Sequence, residues 1–308
     1  MGKGKEEMTL FKILCGDRSP IMNNFIWDLP KEVDGKWVPG EWSKPTKPNV
    51  YHSGYHLTNN PTFWRFVNLS PSVRDVDVYH IETRGAVDST TTGDVVSVES
   101  LRLLRPLTQE ELTPHGVFLS GEHHRLDPQD LTVVGEKAKL VCGDVGKLLN
   151  FGSVILKGNI GTIATIGGHG ILEITGSGSV YCMEDATVVA SGSVSIQASH
   201  RSTVKASDKS RVECNNNTRV FLSGEACGVA FGGSVVATED ARVTVYEEGV
   251  RVHASGNARV SYYPSQAKNL ILTREGNATL APVGMDPITT GTGINGWVYQ
   301  GDCEWKRQ

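Results

Sequence analysis

The sequence predicts a mainly β protein: a small α+β domain at the amino terminus, followed by a parallel β-solenoid with an eight-residue strand-turn period. Three observations carry that reading. Every eighth position from Leu140 to Val260 is Leu, Val or Ile in 13 of 16 cases. The position two residues later is mostly small or apolar, as at Ile174, Cys182, Ala190, Ala198, Ala206 and Cys214. Between the octads stand Ser-Gly, Ser-Asp, Asn-Asn, Glu-Asp and Gly-Asn pairs, the residues that make tight turns.

The amino-terminal part comes first in the chain. It spans residues 1–112 and holds four of the six tryptophans, Trp27, Trp37, Trp42 and Trp64. TLFKILC reads as a strand, and the Pro-, Gly- and Trp-rich run DLPKEVDGKWVPGEWSKPTKP as an irregular excursion. NNPTFWRFVNL reads as a short helix, with Asn59 or Asn60 as N-cap and Pro61 in its first position. VDVYHIETRGAV and DVVSVESLRLLRPL alternate like strands, the second ending at Pro106. Residues 113–139 form a connector containing GEHHRLDP, the array occupies 140–263, and 264–308 form a carboxy-terminal cap or tail.

An eight-residue period suits a strand of about five residues, whose alternate side chains share a face, plus a three-residue corner. One octad buries almost nothing alone, whereas stacked octads bury a continuous ladder of Val, Ala and Cys. Three octads per coil, a triangular prism, is the preferred arrangement, with a flattened two-octad coil as the alternative. The array then makes roughly five to seven coils and a rod of about 25–35 Å.

Composition narrows the function. A net charge of −4 and a pI near 6.1 supply no global basic field for nucleic-acid binding. Nucleic acid would need a local basic patch. There is no apolar run of about 18 residues, and the first residues lack a secretory pattern. A cytoplasmic protein that does not engage membranes is therefore expected. Six cysteines without a CxxC pair read as reduced, mostly buried thiols rather than a zinc or redox site.

The chemistry-bearing constellations are few. VYHSGYHLT places His52 and His56 four apart beside Tyr55 and Thr58, while His80 and Glu82 follow on a predicted strand. Histidine with tyrosine and a later glutamate resembles the outline of ADP-ribosyltransferases. That resemblance implies dinucleotide binding by His52 or His56 and support of an oxocarbenium-like transition state by Glu82 or Glu99. No clear arginine or STS-like strand of that family's pattern stands between them, and the plainer reading of His56 and His80 is partly buried histidines satisfied by backbone groups. His123 and His124 are adjacent, so on a strand they face opposite ways and cannot readily share a metal ion. Neither a metal nor a cofactor is expected. Tyr55, His56, Thr58 and Trp64 are candidate binding residues, as are Lys205, Arg211 and Arg219 if they share one face of the array.

Two wider resemblances concern context. ASGSVSIQAS and ASGNARVSYY are similar to the solenoids of bactofilins and of phage β-helical proteins. GYHLTNNPTFW, VYHIETRGAV and SVESLRLLRPLTQEEL resemble an uncharacterised amino-terminal domain of tailed-phage and prophage proteins. The resemblances imply a phage or prophage product, cytoplasmic or virion-associated. The leading expectation is a non-enzymatic structural or interaction protein whose solenoid binds a protein partner or a second copy of itself. The alternative expectation is an ADP-ribosyltransferase-like enzyme in 1–112 with the solenoid as a docking arm.

Overall fold

A computed structural model describes residues 9–19, 25–50, 52–59, 76–91, 95–125, 127, 129–247, 249–263, 270–283, 297–300 and 304–307. The chain divides into two units, Met1–Gly121 and Glu122–Gln308.

In the first unit, β1 (Phe11–Cys15) is followed by the hairpin of β2 (Lys31–Val33) and β3 (Lys36–Val38), then β4 (Tyr55–Thr58), β5 (Val76–Ser89) and β6 (Val95–Pro106). Strands β1, β4, β6 and β5 close into a small antiparallel barrel. Closure follows from the alternation in β6, whose Val96, Val98, Leu101 and Leu103 bury with Leu14, Leu57, Tyr79 and the edge-on pair Trp27 and Tyr55, 5.3 Å apart. The irregular excursion lies along β6: the amides of Gly40, Ser43 and Thr46 donate to the carbonyls of Leu103, Leu101 and Glu99, each at 2.9 Å. The expected helix at NNPTFWRFVNL lies outside the described residues from position 60 onward. The helix that is described is α1 (Gln109–Leu112), a single turn held by a Thr108–Glu111 capping box.

The second unit is a parallel β-solenoid. β7 (Val117–Arg125) leads to β8 (Gln129–Cys142), β9 (Val145–Asn150), β10 (Ser153–Leu156), β11 (Ile160–Ile166), β12 (Ile171–Cys182) and β13 (Thr187–Ala198). Ten four-residue strands then run from Thr203–Ala206 to Thr279–Pro282. Their burial alternates outward, inward, outward, inward, as in Arg219-Val220-Phe221-Leu222.

The register corrects the preferred coil. β12 pairs with β13 along its whole length, Ile171 with Thr187 through Cys182 with Ala198, a step of sixteen residues. Two octads therefore complete one turn, and the coil is flattened rather than triangular. The physical reason lies in the inward side chains: two sheets face to face at about 10 Å are filled by one Val or Leu and one Ala or Cys per strand. A triangular prism would leave a central space such side chains cannot fill. One face, here face A, stacks nine strands through Leu140, Val154, Leu172, Val188, Val204, Val220, Val235, Val252 and Leu272. Face B stacks ten, from Thr132, Leu148 and Ala164 to Val260 and Leu280. About ten turns at ~4.8 Å give a stack of roughly 43 Å, longer than a three-octad coil would make.

The eight-residue ladder slips at two places. At the first, Val154 rather than Leu156 stands between Leu140 and Leu172, with both Val154 and Leu156 inward. At the second, Val236 and Thr244, read as inward, point out; Val235 and Val243 take their places. The cause there is a three-residue corner, Phe231-Gly232-Gly233, where four residues are usual. The five-residue corner 246–250 restores the phase.

A regular corner has a polar residue, a left-handed residue, a polar residue and a small buried one, as in Ser207-Asp208-Lys209-Ser210. Glycine fills the left-handed place at Gly224, Gly256 and Gly276, but Glu184, Asp208 and Glu239 adopt it too, with φ of 60°, 56° and 57°. Each of these carboxylates accepts from an amide of the turn below: Gly168 N to Glu184 at 2.5 Å, Gly192 N to Asp208 at 3.0 Å, Gly224 N to Glu239 at 2.6 Å. The bond offsets a left-handed penalty of about 1–2 kcal/mol. Glu239→Ala should therefore lower the thermal midpoint of the solenoid, by about 1–2 kcal/mol of stability, while Glu239→Gly removes the strain and costs less. Equal losses in the two variants, followed by circular dichroism, would contradict this account of the corner.

Candidate functional site

One cleft of the first unit is lined by Thr9, Phe11, Asn59, His80, Leu107, Glu111 and His115 and has a volume of about 410 Å³. Its geometry grows from the capping box. Glu111, the third residue of α1, accepts from the Thr108 amide at 2.8 Å, which turns its carboxylate toward β5 and β6. There Arg105 grips it with two nitrogens at 2.6 and 2.7 Å, and His80 Nε2 lies 3.1 Å away. Arg105 above all, then the Thr108 amide and His80, hold the Glu111 carboxyl well below the usual carboxylate range. Glu111 is thus a fixed anion rather than a base. His115 stands edge-on to Phe11 at 6.0 Å, and burial lowers its pKa. The cleft joins one anchored carboxylate to two imidazoles.

The histidines and glutamates singled out from the sequence do not assemble. His52 is exposed in the turn between Asn49 and Ser53. His56 is half-buried, its Nε2 3.0 Å from the Val50 carbonyl, and its pKa is lowered by burial first and by the nearby Lys12 charge. Glu82 lies on an exposed stretch of β5 in an ion pair with Arg102 at 2.6 Å. His56 pairs with Ser97 and Glu82 with Arg102 across β6, so about 17 Å of strand separates them. Glu99 is occupied by the Ala86 amide at 2.9 Å, across the bulge at Gly85. His80 finds a carboxylate, not the backbone group expected. Tyr55 is a core residue whose hydroxyl donates to the Lys44 carbonyl at 2.9 Å, and Thr58 is buried beside it on β4. Trp64 lies outside the described residues. His123 is half-buried and His124 exposed, as strand alternation requires, and no group of metal-ligating side chains occurs among the described residues.

Lys12 is the residue that sequence reading passed over. It is 5% exposed, its Nζ donates to the His56 carbonyl at 2.9 Å and it lies 5.0 Å from the Trp27 ring. Burial lowers its pKa to about 7. The available signal was parity: Lys12 falls in phase with Leu10 and Leu14 on a strand.

On the solenoid, each strand presents two outward residues. In face A these are columns through Thr203, Arg219, Ser234 and Arg251, and through Val189, Lys205, Phe221 and Val236. Lys205 and Arg219 share this face. Arg211 does not: it lies on face B, in register with Cys227, Arg242 and Arg259. The expected three-residue basic stripe is therefore split between opposite faces. The buried thiols Cys142, Cys182 and Cys214 line the interior, and burial raises their pKa values to about 11, 12 and 11.

The fold defines a β-solenoid protein carrying a small four-stranded barrel. The sequence matches no family model, and neither a curated protein nor a solved structure is significantly similar to it.

The buried lysine makes the barrel's stability pH-dependent. Its folded-state pKa is depressed, so the unfolded chain binds the extra proton between about 7 and 10.5, and stability rises across that window as pH rises. Tyr79 acts above it: burial, then the Asp77 charge, raise its pKa to about 12, and the stability it contributes is lost as pH climbs past 10 toward 12. The urea midpoint, followed by tryptophan fluorescence, should climb from pH 6 to pH 9. In Lys12→Met that climb should disappear.

Proposed function

We propose that this chain is a non-enzymatic structural or interaction protein, a solenoid rod whose outward faces bind a protein partner or a second copy. One observation carries the reading: large apolar side chains stand on sheet faces open to solvent. Val189 is 38% exposed, Phe221 41%, and Ile171 and Tyr181 are exposed likewise. On a solenoid those positions need only be polar, because stacking is satisfied from within. Val189 and Phe221 share one column of face A with Lys205 between them, and apolar side chains set among charges suit a docking surface. Arg211, Arg219, Arg242, Arg251 and Arg259 form no ion pairs among the described residues and supply charge around it.

The barrel serves recognition in this reading. The carboxy-terminal hairpin, Trp297–Gln300 with Glu304–Arg307, lies alongside the strand Ile271–Arg274, which supports a role as an end cap. The phrases that resemble tailed-phage domains support a phage or prophage origin, with the protein acting in the host cytoplasm or on the virion.

The tests are substitutions on the two units. Val189→Glu on face A or Tyr181→Glu on face B should weaken capture of the bound protein, or of a tagged second copy, at least about tenfold. His80→Ala in the barrel cleft should leave it unchanged. Loss of capture in His80→Ala with both solenoid variants intact would move the function to the cleft.

A further inference from the structure

Seven of the nine strands of face A read alike in both directions. Their central outward column, strand by strand, is Val141, Ile155, Glu173, Val189, Lys205, Phe221 and Val236, with His253 and Thr273 beyond it. About Val189 the order is symmetric in size and opposite in charge. We propose that face A is a self-complementary surface on which two copies of the chain pack face to face, their solenoid axes antiparallel, about a two-fold axis along the strand at Val189. The proposal rests on the rod reading and names the partner as a second copy.

The charges select this arrangement. In it Val189 meets its own copy, Glu173 meets Lys205 twice, Ile155 meets Phe221, and Val141 meets Val236. Glu173 and Lys205 are exposed, lie two strands or about 9.6 Å apart, and make no ion pair among the described residues. In the flanking column, Arg219 then faces Ser153 and Lys139 faces Ser234, so no like charges oppose one another. Other registers fail. A two-fold at Lys205 or at Glu173 sets that charge on its copy. A two-fold along the solenoid axis sets both charges on their copies. Moving the axis by half a strand buries Glu173 or Lys205 against an apolar side chain, a position that costs unpaired charge desolvation.

Size sets the strength. Seven strands at ~4.8 Å and four residues at ~3.3 Å give a footprint of about 440 Å² per copy. Two such footprints lie below the ~1,200 Å² of a standard interface, so the dimer is weak and concentration-dependent.

The experiment is a charge exchange on the full chain, read by light scattering and sedimentation across concentration. The natural chain should pass from 33.4 kDa toward twice that mass. Glu173→Lys and Lys205→Glu each create two like-charge contacts and should weaken dimerisation at least about tenfold, whereas the double variant should return to within about threefold. Salt at ~1 M should weaken the natural dimer. A chain that stays monomeric to about 1 mM overturns the proposal. So do single variants that dimerise normally, and a double variant no better than the singles. The rod reading fails separately: it survives a monomer whose capture of another protein is lost in Val189→Glu, and falls if that capture is indifferent to both faces.

Discussion

Everything in the second unit depends on one constraint: each turn must hydrogen-bond, residue for residue, to the turn before it. A parallel ladder cannot be satisfied within a turn, so the main chain of every strand is completed by its neighbours. That requirement fixes the inward residues more tightly than hydrophobicity alone. Val188, Val204 and Val220 must stand directly above one another, and the facing sheet must supply Ile196 and Val212 at the same height. The corners inherit the constraint, which is why Glu184, Asp208 and Glu239 spend their carboxylates on amides of the turn below. Acidic corners of this kind look like cation sites in a sequence. Here the oxygens are already committed to the backbone.

The barrel obeys a different balance. Its core contains aromatic rings and one amine, and Lys12 is retained where a Leu or Met would pack without a desolvation cost. A shift of this size corresponds to several kcal/mol, on the order of 5, that the rest of the core must offset. The Trp27 face and the His56 carbonyl recover part of it. Glu111 represents the opposite solution: its charge is kept, and Arg105, His80 and the Thr108 amide are arranged around it.

The parts legible in the sequence are those set by period. An octad announces strand, corner and inward side, and each was readable at Val188, Ala190 and Ser191-Gly192. Octads per turn were not, because the same eight residues serve a two-sided or a three-sided coil; only the volume of the inward side chains distinguishes them. The same ambiguity hid the faces. Arg211 and Arg219 are one octad apart, hence half a turn, and so point to opposite sides, whereas Lys205 and Arg219 occupy neighbouring columns of one side. The outward palindrome of face A was invisible until the step was sixteen residues, because it skips every second octad. In the barrel, Thr108 and Glu111 carried a capping-box signature, but nothing local showed that Arg105 and His80 would converge on that carboxylate from two different strands.

From Thr203 onward the irregularities of the solenoid are not scattered. The corners 207–210, 223–226, 238–241, 255–258 and 275–278, on one edge, keep four residues each, while the three-, five- and eight-residue corners at 231–233, 246–250 and 263–270 fall on the other. Each of these irregular corners begins with an aromatic residue, and the rings stack in sequence: Phe231 on Tyr246 at 5.1 Å, Tyr246 on Tyr263 at 4.9 Å. A stacked ring restores contact that a regular corner would have provided through its backbone. Length variation in these later turns is thereby confined to one edge, and strand pairing continues unbroken from Val220 to Leu272 on one side and from Gly228 to Leu280 on the other. Both faces keep their register past each of these changes of corner length, so the outward columns stay aligned wherever the surface has to match another.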